Sequence, residues 1–182
     1  MTTIKILKGD ITKLNVDVIV NAARPSLLGG GGVDGAIHAA AGPELRQYCE
    51  RFPEKQPGIR CYTGDVKITP GFNLPAKFIF HTVGPVFSDC KSLESENKPY
   101  LLQQCYTRCM DFAETLQFKS IAFPAISCGV YRCPIDVGMY LAFNALKSGS
   151  WDVDEVIFVL FTDLDYDVAK EIGKCYGAGV IE

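Results

Sequence analysis

Short apolar runs alternate along the whole chain with stretches of helical periodicity, and this alternation constrains the fold more than any other feature. The runs fall at residues 4–7, 16–20, 65–69, 77–82, 120–126 and 155–161. Some alternate, but most are rich in Val, Ile and Phe, as expected of strands buried on both faces. Helical patterns occupy 33–52, 99–117, 134–148 and 165–176. Pro99 and Pro134 suit a first helical turn, and Gly149 and Gly177 suit helix ends. On the second helix, Leu101, Leu102, Cys105, Cys109, Phe112 and Leu116 share one face. A chain of this kind predicts a mostly parallel or mixed sheet between helical layers, as one α/β domain over residues 1–182. In such folds ligands sit beyond the carboxyl ends of the strands, so the loops there carry the functional reading. The polar stretch 88–98 reads as a surface loop.

Composition narrows the partners. The formal net charge is −3, which argues against a broad basic surface for nucleic acid or anionic membrane. An anionic ligand must then be held locally, by backbone amides or helix ends. No apolar run has the length of a membrane span, and the N-terminal residues show no signal-peptide pattern. The eight cysteines form no C-x-x-C pair, and with His38 and His81 as the two imidazoles their spacing suits no zinc site. Reduced thiols in the cytoplasm or the nucleus are the expectation, with no metal and no cofactor, in a monomer.

Asn21-Ala-Ala-Arg-Pro-Ser-Leu-Leu-Gly-Gly-Gly-Gly-Val-Asp-Gly-Ala-Ile-His38 joins a strand to a helix. Glycines 29–32 place amides without side chains beside the positive end of a helix, an arrangement that accepts phosphate. Residues 30–35 match G-x-G-x-x-G, yet the glycines do not follow the strand directly. No acidic residue ends a second strand about 20 positions on, so a Rossmann dinucleotide site is disfavoured. There is no G-K-[ST], which excludes a P-loop. Asp34 suits a first helical turn, and His38, four residues on, shares its face. Taken singly, Asn21 reads as a turn former, His38 as a packed histidine and the glycines as a hinge; together they line one strand-to-helix junction. A second candidate loop, 123–134, offers Gly129 for close backbone approach and Tyr131 for stacking or hydrogen bonding. Asp10 and Phe161 stand at two further strand ends.

These residues resemble the macro domain family, and within it the MacroD-type ADP-ribosyl hydrolases. The likeness is carried by Lys8-Gly-Asp-Ile-Thr12, by Val18-Ile-Val-Asn-Ala-Ala23, by LLGGGGVDGAIHAAAGPEL at 27–45, by HTVGP at 81–85 and by FPAISCGVY at 123–131. The resemblance implies a three-layer α/β/α fold around a mixed, mostly six-stranded sheet. It implies ADP-ribose as ligand, and as substrates proteins mono-ADP-ribosylated on glutamate or aspartate, and O-acetyl-ADP-ribose. Asp10, with the Ile11 backbone beside it, would bind the adenine amine, and Phe161 would pack on the adenine. The backbone of Gly30, Gly31, Gly32, Val33 and Gly35, with Ser127, Cys128, Gly129 and Val130, would surround the diphosphate. Asn21, Asp34, Gly129 and Tyr131 would surround the distal ribose. Asp34 would orient or activate the water that cleaves the ester, with Asn21 beside it and His38 supporting it.

One position departs from the family pattern. The motif N-A-A-N reads Asn21-Ala-Ala-Arg24 here, replacing a group that donates and accepts by one that only donates. Three outcomes are open: Arg24 binds the distal ribose or phosphate, pairs with Asp34 and weakens it as a base, or turns into solvent. The leading expectation is a hydrolase in which ADP-ribose binding survives Arg24 and turnover is reduced; the alternative is a non-catalytic or weakly catalytic reader of ADP-ribose. Cys128, where the family often has threonine, places a thiol beside the ligand.

Overall fold

The computed structural model describes residues 1–88 and 97–182. Seven strands form one sheet: β1 (Thr3–Lys8), β2 (Val18–Ala22), β3 (Val66–Pro70), β4 (Phe78–Thr82), β5 (Ser120–Phe123), β6 (Glu155–Leu160) and β7 (Gly179–Val180). Their spatial order is β3-β4-β2-β5-β6-β1-β7, and among the described residues only the pairing of β3 with β4 is antiparallel. The sheet therefore has one strand more than the sequence suggested. The addition, β7, is two exposed residues pairing with Lys5 and Ile6, too short to leave a hydrophobic signature.

The helices are α1 (Gly32–Ala41), α2 (Pro43–Glu50), α3 (Lys98–Thr115), α4 (Ile135–Lys147) and α5 (Asp163–Lys174). The single helix expected over 33–52 is two, because Gly42 takes φ +91° and Pro43 opens the next helix. Proline lacks the amide needed to continue a helix but suits a first turn. On α3 the buried face runs through Leu102, Cys105, Tyr106, Cys109, Met110 and Ala113, while Phe112 and Leu116 are exposed. Lys98, placed in the loop by sequence, is a buried first residue of α3. The rest of that loop, 89–96, lies outside the described residues.

Successive strand residues point to opposite faces, and two cores result. Val18, Val20, Phe80, Ile121, Phe123 and Phe158 join the core under α3, α4 and α5. Ile19, Ile79, Ala122, Ile157 and Val159 join the core under α1 and α2. This is a three-layer α/β/α arrangement. It also decides where Asn21 points. As the residue after Val20 in β2, it falls on the α1 side, and the register pairs it with His81 of β4 on the same face.

Candidate active site

The parallel strands end along one edge, and a cleft of about 710 Å³ lies beyond them. Asp10, Ile11, Arg24, Gly31, Gly32, Val33, Asp34, Phe161 and the loop from Ser127 to Tyr131 all line it. Four of the expected residues do not: Asn21, Gly30, Gly35 and His38 lie outside the lining.

The glycines divide by role. A Cβ on Gly31 or Gly32 would meet nothing within 4 Å, so these two face open cleft. Gly32, at φ +60°, adopts a conformation that side chains disfavour. A Cβ on Gly30 would fall 2.5 Å from Arg24 Nε, and one on Gly35 would fall 2.5 Å from the Gly30 carbonyl oxygen. Gly30 thus makes room for Arg24, and Gly35, in the first turns of α1, lets the loop carbonyl of Gly30 pack against the helix. Gly31 caps α1 with no side-chain hydrogen bond, leaving the first amides of the helix as donors beside the cleft.

Behind them lies a buried polar network. Asn21 Nδ2 donates to Asp34 Oδ1 at 2.8 Å and lies 3.1 Å from His81 Nδ1. Thr69 Oγ1 lies 2.9 Å from His81 Nε2 and 3.1 Å from the Pro70 carbonyl oxygen, to which it donates. Both Asn21 amide protons are used as donors, so His81 Nδ1 must accept, and the proton of the neutral ring sits on Nε2, donating to Thr69. Neutrality follows from complete burial, which with the nearby His38 holds the His81 pKa at about 3. The relay fixes the Asn21 amide with Oδ1 turned away from its partners. Among the described residues, Asn21 Oδ1, Asp34 Oδ2 and His38 Nε2 are buried without a hydrogen-bond partner. Such groups recover their lost hydration from a bound hydroxyl or water. His38 Nε2 stands 3.5 Å from Asp34 Oδ1. Burial lowers the His38 pKa, against the Asp34 carboxylate, which raises it.

Sequence reasoning assigned His81 no role, because one histidine in an apolar run reads as core; its function comes from the β2–β4 register. Asp34 is only 3% exposed and yet lines the cleft.

The far end of the cleft has a different character. Asp10 Oδ1 accepts from the Thr12 amide and hydroxyl at 2.9 and 2.7 Å, bonds from Thr12 that lower its pKa despite partial desolvation. Its other oxygen is free to accept from an amine. Phe161 and Val130 are each 80% exposed, apolar surface turned toward the cleft. Among the described residues, no group of three or more His, Cys, Asp or Glu is placed to hold a metal ion.

Arg24 is exposed and lies across Gly30 at the cleft rim. Among the described residues Asp34 has the ion-pair partner His38 and not Arg24, so the pairing that would weaken the carboxylate is not formed. The guanidinium is near enough to Tyr131 to favour its ionised form, against burial, which raises the Tyr131 pKa more strongly.

The family model described as Macro domain matches residues 20–142. The chain belongs to the macro domain family. A Macro domain-containing protein of Xanthomonas campestris pv. campestris is 58% identical over 132 residues, 72% of this chain and 72% of its own length. The ADP-ribose glycohydrolase MACROD2 of Xenopus laevis is 42% identical over 167 residues, 90% of this macro domain but 38% of the larger protein. Among solved structures, a mutant Oceanobacillus iheyensis macrodomain with ADPR superposes with TM-score 0.86 at 43% identity, covering 93% of this chain and 91% of that one.

Proposed function

We propose that this macro domain binds ADP-ribose in the cleft and hydrolyses the ester joining its distal ribose to an acyl group. Substrates would be proteins mono-ADP-ribosylated on glutamate or aspartate, and O-acetyl-ADP-ribose. The observation that carries the reading is Asp34. One carboxylate oxygen is held by Asn21 and the other is buried, unpartnered and beside the uncapped start of α1. The name of the Xenopus relative and the ADPR in the Oceanobacillus macrodomain support the same ligand class.

The residues divide the work. The free oxygen of Asp10 meets the adenine amine, Phe161 packs on the ring, and the amides of α1 and of Gly129 to Tyr131 meet the diphosphate. Asp34 orients a water toward the acyl carbonyl carbon. Water adds there, the bond from carbonyl carbon to ribose oxygen breaks, and the ribose oxygen leaves with a proton. The products are ADP-ribose and a carboxylic acid. Helix-end amides stabilise developing negative charge without reorganising.

The test is release of ADP-ribose from a glutamate-linked mono-ADP-ribosylated protein, with ADP-ribose affinity measured on the same preparation. Binding and release together support the hydrolase, and absence of binding sinks the reading. Phe161→Ala is expected to weaken ADP-ribose binding about tenfold or more, the scale of a lost base-stacking contact. Because the ring is 80% exposed, the melting temperature should hardly move.

Arg24 favours a second reading, binding without turnover, because it stands at the rim where the acyl group would lie. Since Arg24 forms no ion pair with Asp34 among the described residues, Arg24→Asn is expected to change turnover by less than about threefold, well under 1.4 kcal/mol of barrier. A gain of about tenfold or more would make the native chain a reader instead.

A further inference from the structure

The loop between β5 and α4 carries two thiols that ester hydrolysis does not use. The Cys133 amide donates to the Ser127 carbonyl at 2.9 Å, and the Arg132 amide to that of Gly129 at 3.0 Å. Ser127 and Arg132 both take left-handed conformations, φ 67° and 62°. The chain therefore folds back on itself and brings residues 128 and 133 side by side. Both sulfur atoms fall within 3.4 Å of the point a Cβ on Gly138 would occupy, so only glycine there leaves room for the pair. Cys128 Sγ lies 3.5 Å from the Ile126 carbonyl and Cys133 Sγ 3.6 Å from that of Pro134. The two thiols are also within hydrogen-bonding reach of each other.

The pair has the asymmetry of an attacking and a resolving thiol. Cys133 immediately precedes Pro134, the cap of α4, where no side chain satisfies the helix start. The positive end of a helix favours a thiolate. The hydrogen bond from Cys128 moves the Cys133 pKa down against its own burial, whereas burial pushes the thiols of Cys61 and Cys105 up to about 11 and Cys49 up to about 12. Cys128 lines the cleft, which gives a small oxidant a route to the pair.

We propose that Cys128 and Cys133 form a redox modification site, closing to a reversible disulfide that spans the loop bordering the cleft. The oxidant class is a hydroperoxide. The Cys133 thiolate attacks a peroxide oxygen, the O–O bond breaks, and Cys133 becomes a sulfenic acid as the other oxygen leaves as hydroxide and takes up the proton Cys133 had released, giving water. Cys128 then attacks the Cys133 sulfur, the S–O bond breaks, and the hydroxide leaves with the Cys128 proton as a second water. Two thiols and one hydrogen peroxide give one disulfide and two waters. The closed segment contains Gly129, Val130 and Tyr131, which all line the cleft. Oxidation therefore acts on the backbone assigned to the ligand. The effect on ligand rests on the ADP-ribose reading; the cross-link does not.

The experiment treats the full chain with hydrogen peroxide, digests it without reduction and maps the cysteines by mass spectrometry. Hydrogen exchange at 129–131 and ADP-ribose affinity are measured before oxidation, after it, and after dithiothreitol. The expected result is a Cys128–Cys133 cross-link about 2 Da lighter than the dithiol, slower exchange at 129–131, and full reversal by dithiothreitol. ADP-ribose affinity should fall about tenfold on oxidation, some 1.4 kcal/mol. Cys128→Ser should instead trap the sulfenic acid on Cys133. Oxygen added to either residue of the native chain without a cross-link overturns the proposal. So does a pair that stays reduced while the exposed Cys175 oxidises, or a cross-link that changes neither exchange nor affinity. A cross-link with slowed exchange in a chain that never binds ADP-ribose leaves the redox site standing and removes the ADP-ribose reading.

Discussion

Asp34→Asn lowers ester hydrolysis by about 10²–10⁴-fold, the usual worth of a positioned acid–base group, while ADP-ribose affinity stays within about tenfold. The substitution keeps the size of the side chain and an oxygen to accept from Asn21 Nδ2, so the 2.8 Å contact survives. What changes is the second atom, now Asp34 Oδ2, buried and unpartnered. An amide in its place donates, and neither withdraws nor orients a proton of the attacking water. Asp34→Ala shows the same kinetic loss with an added stability penalty. It strands the buried Asn21 donor, at about 1–3 kcal/mol. Comparing the two separates chemistry from packing: kcat should fall alike in both, and the melting temperature chiefly in Asp34→Ala. If Asp34→Asn keeps turnover within a few-fold of the native chain, the carboxylate is not the water-orienting group.

Much of this arrangement is readable from the chain because its signals are local. β4 and β6, buried on both faces, announce themselves as runs of Val, Ile and Phe, and the half-buried β1 and β3 as alternation; all four begin and end within a residue or two of their expected limits. Asp10, Asp34, Gly129 and Phe161 follow from their places at strand ends and a helix start. Less local features escape. The break at Gly42 is written as Gly-Pro, but the alanine-rich stretch before it and the helical periodicity after it mask it. Asn21 was expected after its strand; it lies within β2, which runs to Ala22, and this places it opposite His81. The purposes of Gly30 and Gly35 depend on Arg24 and on the carbonyl of Gly30, contacts that the sequence order alone does not reveal. His81 is the clearest case. Its partners, Asn21 and Thr69, come from two other strands and meet it only through the sheet.

The same histidine dominates the acid response of the fold. An unfolded chain protonates His81 near its ordinary value of 6.5, whereas the folded chain resists to about 3. Between those limits the unfolded state binds more protons, so stability rises with pH. This contribution is whole above 6.5 and drains away as pH falls toward 3. The slope is about 1.4 kcal/mol per pH unit, giving a loss of about 2–3 kcal/mol by pH 4.5. His38, also lowered by burial, adds with the same sign, while the lowered Asp10 and Asp17 act mainly below their ordinary 3.8. Denaturant unfolding of the native chain between pH 6.5 and 4.5 should therefore show a steep loss, and His81→Gln should flatten most of it. The mechanism adds a spectroscopic mark: at pH 7 nitrogen-15 shifts should place the ring proton of His81 on Nε2. Protonation of Nδ1 would set two donors face to face at the 3.1 Å contact with Asn21, forcing that amide to turn and disturbing its bond to Asp34. Hydrolysis should thus fall on the acid side first as the fold loses stability, and in the chain still folded as the pH approaches 3. A His81→Gln slope equal to the native one would mean that the buried ring does not govern the acid limit.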